Sequence, residues 1–130
     1  GGNNDDSDDE IMSNKLRITV GSSSFDATLE DNETVKAFKK LLPMTVNMPD
    51  LNRNEKYYYL SGSLPTAASN PGTILTGDLM LYGSNCVVLF YESFSTSYSY
   101  TRLGRVNNSS GLASALGSGS VTVTFELQKE

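Results

Sequence analysis

The alternation of apolar and polar positions begins abruptly at Lys15. Leu16, Ile18 and Val20 alternate with Lys15, Arg17 and Thr19, the period-two pattern of a strand with one buried face. A "GSSS" turn follows. Phe25, Ala27 and Leu29 then alternate with Asp26, Thr28 and Glu30, so the two segments read as a hairpin. In "DNETVKAFKKLLP" the period changes. Val35, Phe38, Leu41 and Leu42 fall on one helical stripe, with Asp31 or Asn32 able to cap the first turn. Lys39 and Lys40 suit the negative helix end, and Pro43 stops the helix.

Beyond the helix, "MTVNM" reads as a short strand ended by Pro49. "NRNEKYYYL" reads as another, in which Tyr57 and Tyr59 face opposite to Tyr58. Residues 61–77 carry two prolines and three glycines. That stretch predicts a loop longer than most connections, and such loops often carry function. "DLMLYG" and "CVVLFY" form a second hairpin across a tight turn. The second of these does not alternate, which predicts burial on both faces. "YSYTRLGRV" alternates again, with Tyr100 and Arg102 on one side. "SSGLASALGSG" holds one helical turn, and "SVTVTFELQ" closes the pattern with Val121, Val123, Phe125 and Leu127 on one face. Some seven or eight short strands with tight turns, one main helix and one short helix predict a mainly β protein built as a small barrel.

Charge changes the picture only at one end. The chain has 130 residues and a formal net charge of -5. Asp5, Asp6, Asp8, Asp9 and Glu10 account for all of it, because residues 11–130 hold equal numbers of acids and bases. Residues 1–14 therefore read as an acidic, solvated linker and residues 15–130 as one barrel domain. With no net positive charge on the body, nucleic acid is a poor partner. Gly1 without an initiator Met reads as a start trimmed of upstream residues. No apolar run approaches the length of a membrane helix.

The residue inventory narrows the chemistry. The chain has no His and no Trp, and Cys86 is its single cysteine. Histidine-dependent triads within this chain are excluded, and Cys86 in "NCVVLF" reads as a small buried hydrophobe rather than a nucleophile. Asp78 reads as turn chemistry after Gly77, and Asp50, Glu55 and Glu92 as solvated acids. "NNDDSDDE" lacks calcium-loop spacing, and "GSGS" lacks the lysine of a phosphate loop. Neither a metal nor a cofactor is expected.

The aromatics carry the remaining signal. Seven tyrosines sit on the expected strands or at their ends. Some suit half-buried strand positions, and the rest can line a pocket at the barrel mouth. The candidate ligand-binding residues are Tyr58, Tyr82, Phe94, Tyr98, Tyr100 and Arg102. Ring faces stack sugars, prolines or flat ligands, and Arg102 is suited to a carboxylate. The Ser/Thr-rich part of "ESFSTSYSYTRLG" reads as an exposed strand or loop edge.

The stretch "GDLMLYGSNCVVLFY", Gly77 to Tyr91, followed by "YTRLGRV", Tyr100 to Val106, resembles the cyclophilin-like domain family of bacteria and archaea. The opening segment from Lys15 to Pro43 is similar to that family's first hairpin and helix, and the likeness runs from Lys15 to Phe125. The resemblance implies a closed or nearly closed barrel of about eight strands with a helix at an open end. Most members of the family have no established activity. Its fold is shared with prolyl isomerases, but their residues are missing here: there is no "FHR"-like segment and the one Gln is Gln128. The acidic run also resembles the region behind the lipidated cysteine of a Bacteroidetes-type lipoprotein. That implies a domain displayed outside the cytoplasm on a lipid anchor, its only membrane contact.

The expected function is non-enzymatic binding of a small molecule or peptide in an aromatic-lined pocket, by a monomer or weak dimer. The alternatives are an isomerase-like enzyme and a module that docks a peptide along an exposed strand edge.

Overall fold

The computed structural model describes residues 13–129. The acidic run Asp5–Glu10 lies outside the described residues. From Lys15 the chain forms β1 (Lys15–Val20), β2 (Ser23–Leu29), α1 (Glu33–Lys39), β3 (Met44–Met48), β4 (Asp50–Leu51) and β5 (Glu55–Tyr59). There follow β6 (Thr73–Ile74), β7 (Asp78–Tyr82), β8 (Cys86–Phe90), β9 (Phe94–Ser95), β10 (Thr101–Val106), α2 (Leu112–Leu116) and β11 (Val121–Leu127).

Nine strands form one antiparallel sheet in the order β3-β11-β1-β2-β10-β7-β8-β5-β4, and β6 pairs with β9 in a separate ribbon. The two end strands, β3 and β4, are consecutive in the chain. The sequence pattern ends the strand at Pro49, but the chain runs on through it. Proline has no N–H to donate and is tolerated where a strand changes partners. Its carbonyl accepts a bond from the Tyr57 N–H at 3.1 Å. Met44–Leu51 thus pairs with β11 on one side and β5 on the other, and nearly closes the sheet into a barrel. Counted as one strand, and with the small ribbon set apart, it makes an eight-stranded barrel.

The barrel is filled, not hollow. Leu16, Ile18, Phe25, Ala27, Leu79, Leu81, Val87, Leu89 and Phe125 point inward, as the alternation predicts. Val35 and Phe38 of α1 and Leu112 and Leu116 of α2 join the same core, with the Phe38 and Phe125 rings edge to face at 6.4 Å. Helix α1 is capped by Asn32, whose Oδ1 accepts the Val35 N–H at 2.8 Å. It is shorter than its stripe suggests. Lys40, Leu41 and Leu42 each donate to the carbonyl three residues back, which tightens the last turn and leaves Leu41 exposed.

Strand β8 is buried on both faces, as the unbroken "CVVLF" run predicts, and β7 is buried on both as far as its exposed last residue, Tyr82. Their outer face carries Met80, Cys86, Val88 and Phe90, which pack with Ile74 and Tyr100 into a second, smaller core. That outer core exists because the loop carrying β6 and the segment carrying β9 fold over it. The bridge between Ser69 and Tyr100 ties the two together.

A buried lysine fastens the closing seam. The β5 side chain at Lys56 is fully buried, and its ammonium donates to Asp50 Oδ1 at 3.0 Å, to the Gly117 carbonyl at 2.8 Å and to the Gly119 carbonyl at 2.6 Å. All three protons are used, and the ion lies 5.2 Å from the centre of the Tyr91 ring. Tyr91 also donates its hydroxyl to the same Asp50 oxygen. Burial opposes ionisation of Asp50, but the bonds from Tyr91, Lys56 and the Arg53 N–H hold its carboxyl below the usual range. Burial and that same bond push Tyr91 up to about 12. Asp50, read from sequence as solvated, is instead the hub of this seam.

Candidate functional site

The outer face of β5, β8 and β7 forms the floor of a cleft. Register fixes its layout: Tyr57 opposes Val88 and Tyr59 opposes Cys86, while on the far side of β8 Met80 opposes Val88 and Tyr82 opposes Cys86. Small Cys86 and Val88 are therefore flanked on both sides by larger side chains. Glu55 continues the same face of β5, two residues before Tyr57. Phe94, Thr96, Tyr98 and Tyr100, from the segment that begins at β9, form one wall. Leu51, Asn52 and Asn54 form the opposite rim. Asn52 and Arg53 both have φ of +56°, the two central residues of the turn that the Asn54 N–H closes on the Leu51 carbonyl at 3.2 Å, within a three-residue connection from β4 to β5. The cavity is about 500 Å³, within the range of small-molecule sites.

The rings stand at steep angles to one another. Tyr57 and Tyr59 meet at 75°, with centres 5.8 Å apart. Tyr82 meets Tyr98 at 84° and Tyr100 at 57°. Phe90 underlies Tyr100 and Phe94, with centres 5.6 and 5.7 Å away. Tyr100 is buried, whereas Tyr59 and Tyr98 are more than 60% exposed, at 62% and 61%. The wall is thus anchored at its base and open at its rim.

Two polar groups in this cleft have no protein partner among the described residues. Glu55 is only 9% exposed as a residue, its carboxylate opens onto the cleft, and no hydrogen bond or ion pair reaches that carboxylate among the described residues. Burial, then the neighbouring charge of Asp50, pushes it up to about 7. The Asn54 Oδ1 is buried and accepts no hydrogen bond among the described residues. Burial, then Glu55, pushes the Cys86 thiol up, so it stays protonated near neutrality. Burial likewise raises Tyr100. Among the described residues, no cluster of Cys, Asp or Glu side chains is placed to hold a metal ion.

Of the six residues singled out from sequence, Tyr82, Phe94, Tyr98 and Tyr100 line this one cleft. Tyr58 and Arg102 do not. Tyr58 lies on the inner face of β5 and packs against the barrel core, because Tyr57 and Tyr59 take the outer face. Arg102 shares the outer face with Tyr100 but sits opposite Met80, about 7 Å farther along the strand and past the cleft. Its carbonyl accepts a bond from Asn32. Sequence reasoning missed Glu55 and Asn54. The signal for Glu55 was its period-two relation to Tyr57 and Tyr59. Asp78, read as turn chemistry, does accept the Leu75 N–H at 2.8 Å, but it is fully buried and also pairs with Arg105 Nε at 2.8 Å.

Comparison with known proteins places the chain. The model of the cyclophilin-like family matches residues 18–126. The solution structure of a hypothetical protein from Archaeoglobus fulgidus is similar, with a TM-score of 0.66 and 21% identity over 89% of this chain and 95% of that one. At that identity the likeness speaks for the fold. No curated protein matches the chain. The filled eight-stranded barrel and the extent of the family match agree, and the chain belongs to the cyclophilin-like family.

Proposed function

We propose that this domain binds a small molecule or a peptide group in the cleft between β5, β8, β7 and the Phe94–Tyr100 wall, without transforming it. One observation carries the reading: the cleft holds a carboxylate that opens onto it and a fully buried amide oxygen, neither with a protein partner among the described residues. Such groups are costly to keep unless something else satisfies them. The rings around them offer contact area at low entropic cost. A thiol held protonated, with no histidine to activate it, gives little footing to nucleophilic catalysis. Docking along a strand edge is a weaker alternative, because the end strands are joined through Met44–Leu51. Display outside the cytoplasm rests on the acidic N-terminal run alone, and a lipobox cysteine encoded just upstream would support it.

Chemical-shift mapping with a fragment set of sugars, nucleotides, amines, amino acids and proline peptides tests the binding reading. Shifts confined to Tyr57, Tyr59, Tyr82 and the Phe94–Tyr100 segment, and lost in Tyr98→Ala, support it. Shifts elsewhere overturn it. Acceleration of proline-limited refolding by the domain would overturn the non-enzymatic part.

A further inference from the structure

We propose that the occupant of this cleft is an organic cation, an alkylammonium or methylated ammonium group seated among Tyr59, Tyr82, Tyr98 and Tyr100 with Glu55 as its counter-ion. The inference rests on the binding reading above and names the ligand class for the same site.

The composition of the lining is one-sided. It contains five tyrosines, one phenylalanine and one carboxylate, with no lysine or arginine among the described lining residues. Aromatic faces carry partial negative charge, and several rings at steep mutual angles present such faces from different directions. The Glu55 carboxylate, which opens onto the cleft and has no partner among the described residues, adds negative charge beside them when ionised. An anionic ligand would meet repulsion here and no compensating cation. A neutral ligand would leave Glu55 as costly as before. A cation offsets the carboxylate and engages the rings at once.

The basic residue next to Glu55 in sequence is already committed. Lys56, next along β5, points to the opposite face and spends its three protons on Asp50, Gly117 and Gly119. The protein therefore does not supply Glu55 with a counter-ion from that neighbour.

Around Glu55 the titratable groups are Asp50 from β4, Cys86 from β8, Tyr100 from the wall, Tyr57 and Tyr59 on its own strand, Tyr82 from β7 and Tyr98. Asp50 stays charged, and Cys86 and Tyr100 stay neutral, across pH 6 to 8. Glu55, with its raised value of about 7, is the group that changes charge in that window. Cation affinity should then rise roughly tenfold from pH 6 to pH 8.

The test uses the whole chain, with binding read by chemical-shift titration. The probes are choline chloride, its neutral isostere 3,3-dimethylbutan-1-ol, and a short peptide carrying either lysine or trimethyl-lysine. Choline should bind at the cleft, at least tenfold more tightly than the isostere. Glu55→Gln should weaken choline at least tenfold and flatten the pH dependence. Tyr98→Ala, at an exposed position, should weaken it several-fold in a folded protein. Within a supported proposal, tighter binding of the trimethyl-lysine peptide than of choline assigns the cation to a polypeptide, and equal binding assigns it to a free small molecule. If the isostere binds as well as choline, or if Glu55→Gln leaves choline binding unchanged, the cation assignment is overturned while a binding cleft stands. If no probe and no fragment of any class shifts the cleft, both readings fall.

Discussion

Lys56 Nζ lies 3.0 Å from Asp50 Oδ1, with the lysine side chain wholly out of water and the aspartate nearly so. The pair joins β5 to the closing strand, and the two glycine carbonyls extend the tie to the connection between α2 and β11. A buried pair is costly to break from one side, because the surviving charge is left uncompensated. Lys56→Met should lower unfolding free energy by about 3–5 kcal/mol in urea melts. Combining it with Asp50→Asn should cost less than the sum of the two single changes, which a double-mutant cycle would measure.

Glu55 makes stability depend on pH in the opposite sense to most carboxylates. Its folded value is about 7 against an ordinary 4.5, so the native state holds the proton more tightly. Stability is full below about 4.5 and declines as pH rises through 7. Glu55→Gln should therefore melt higher than the parent at pH 8, by roughly 3 °C or more, with the gap closing toward pH 5. Equal gaps at both pH values would refute the assignment.

Among the described glycines, Gly104 makes the closest approach to neighbouring backbone. A Cβ there would stand 2.4 Å from the Thr28 carbonyl oxygen on β2, beside the register shift in β10. Backbone cannot move aside cheaply. Gly104→Ala should cost roughly 1–3 kcal/mol or more, whereas Gly62→Ala, with open space around it, should be close to neutral. Thermal melts of the two variants side by side give the comparison.

Arg53 holds a left-handed backbone without being glycine. Its N–H is fixed by Asp50 Oδ2 at 3.1 Å, so the conformation is imposed by the turn. Arg53→Gly removes the Cβ that disfavours this positive φ and should stabilise the fold by about 1 kcal/mol. A shift in urea midpoint at constant slope would verify it.

Much of the barrel was legible because one physical asymmetry repeats along it. In β1, β2 and β11 the inner face is dry and the outer face wet, and Leu16, Phe25 and Phe125 announce that in every second position. The two-sided burial of β8 was legible for the converse reason, since nothing polar interrupts Cys86–Phe90. The site was only half legible. Tyr82, Phe94, Tyr98 and Tyr100 stood out by residue type, but type does not say which face of a strand a distant loop will cover. Period two separates Tyr58 from Tyr57 and Tyr59 without saying which side becomes the cleft. Glu55 looked solvated for the same reason: its burial comes from packing that is remote in sequence.

The place of β11 in the sheet has a consequence for synthesis. This strand is the last in chain order, yet it lies between β1 and β3. Everything the ribosome has made before Val121 must wait with Ile18 and Val46 lacking the strand that runs between them. A nascent chain would hold a half-lined groove until its final strand slides in. For that interval the groove is a surface for chaperones, or for the wrong strand of a neighbouring chain.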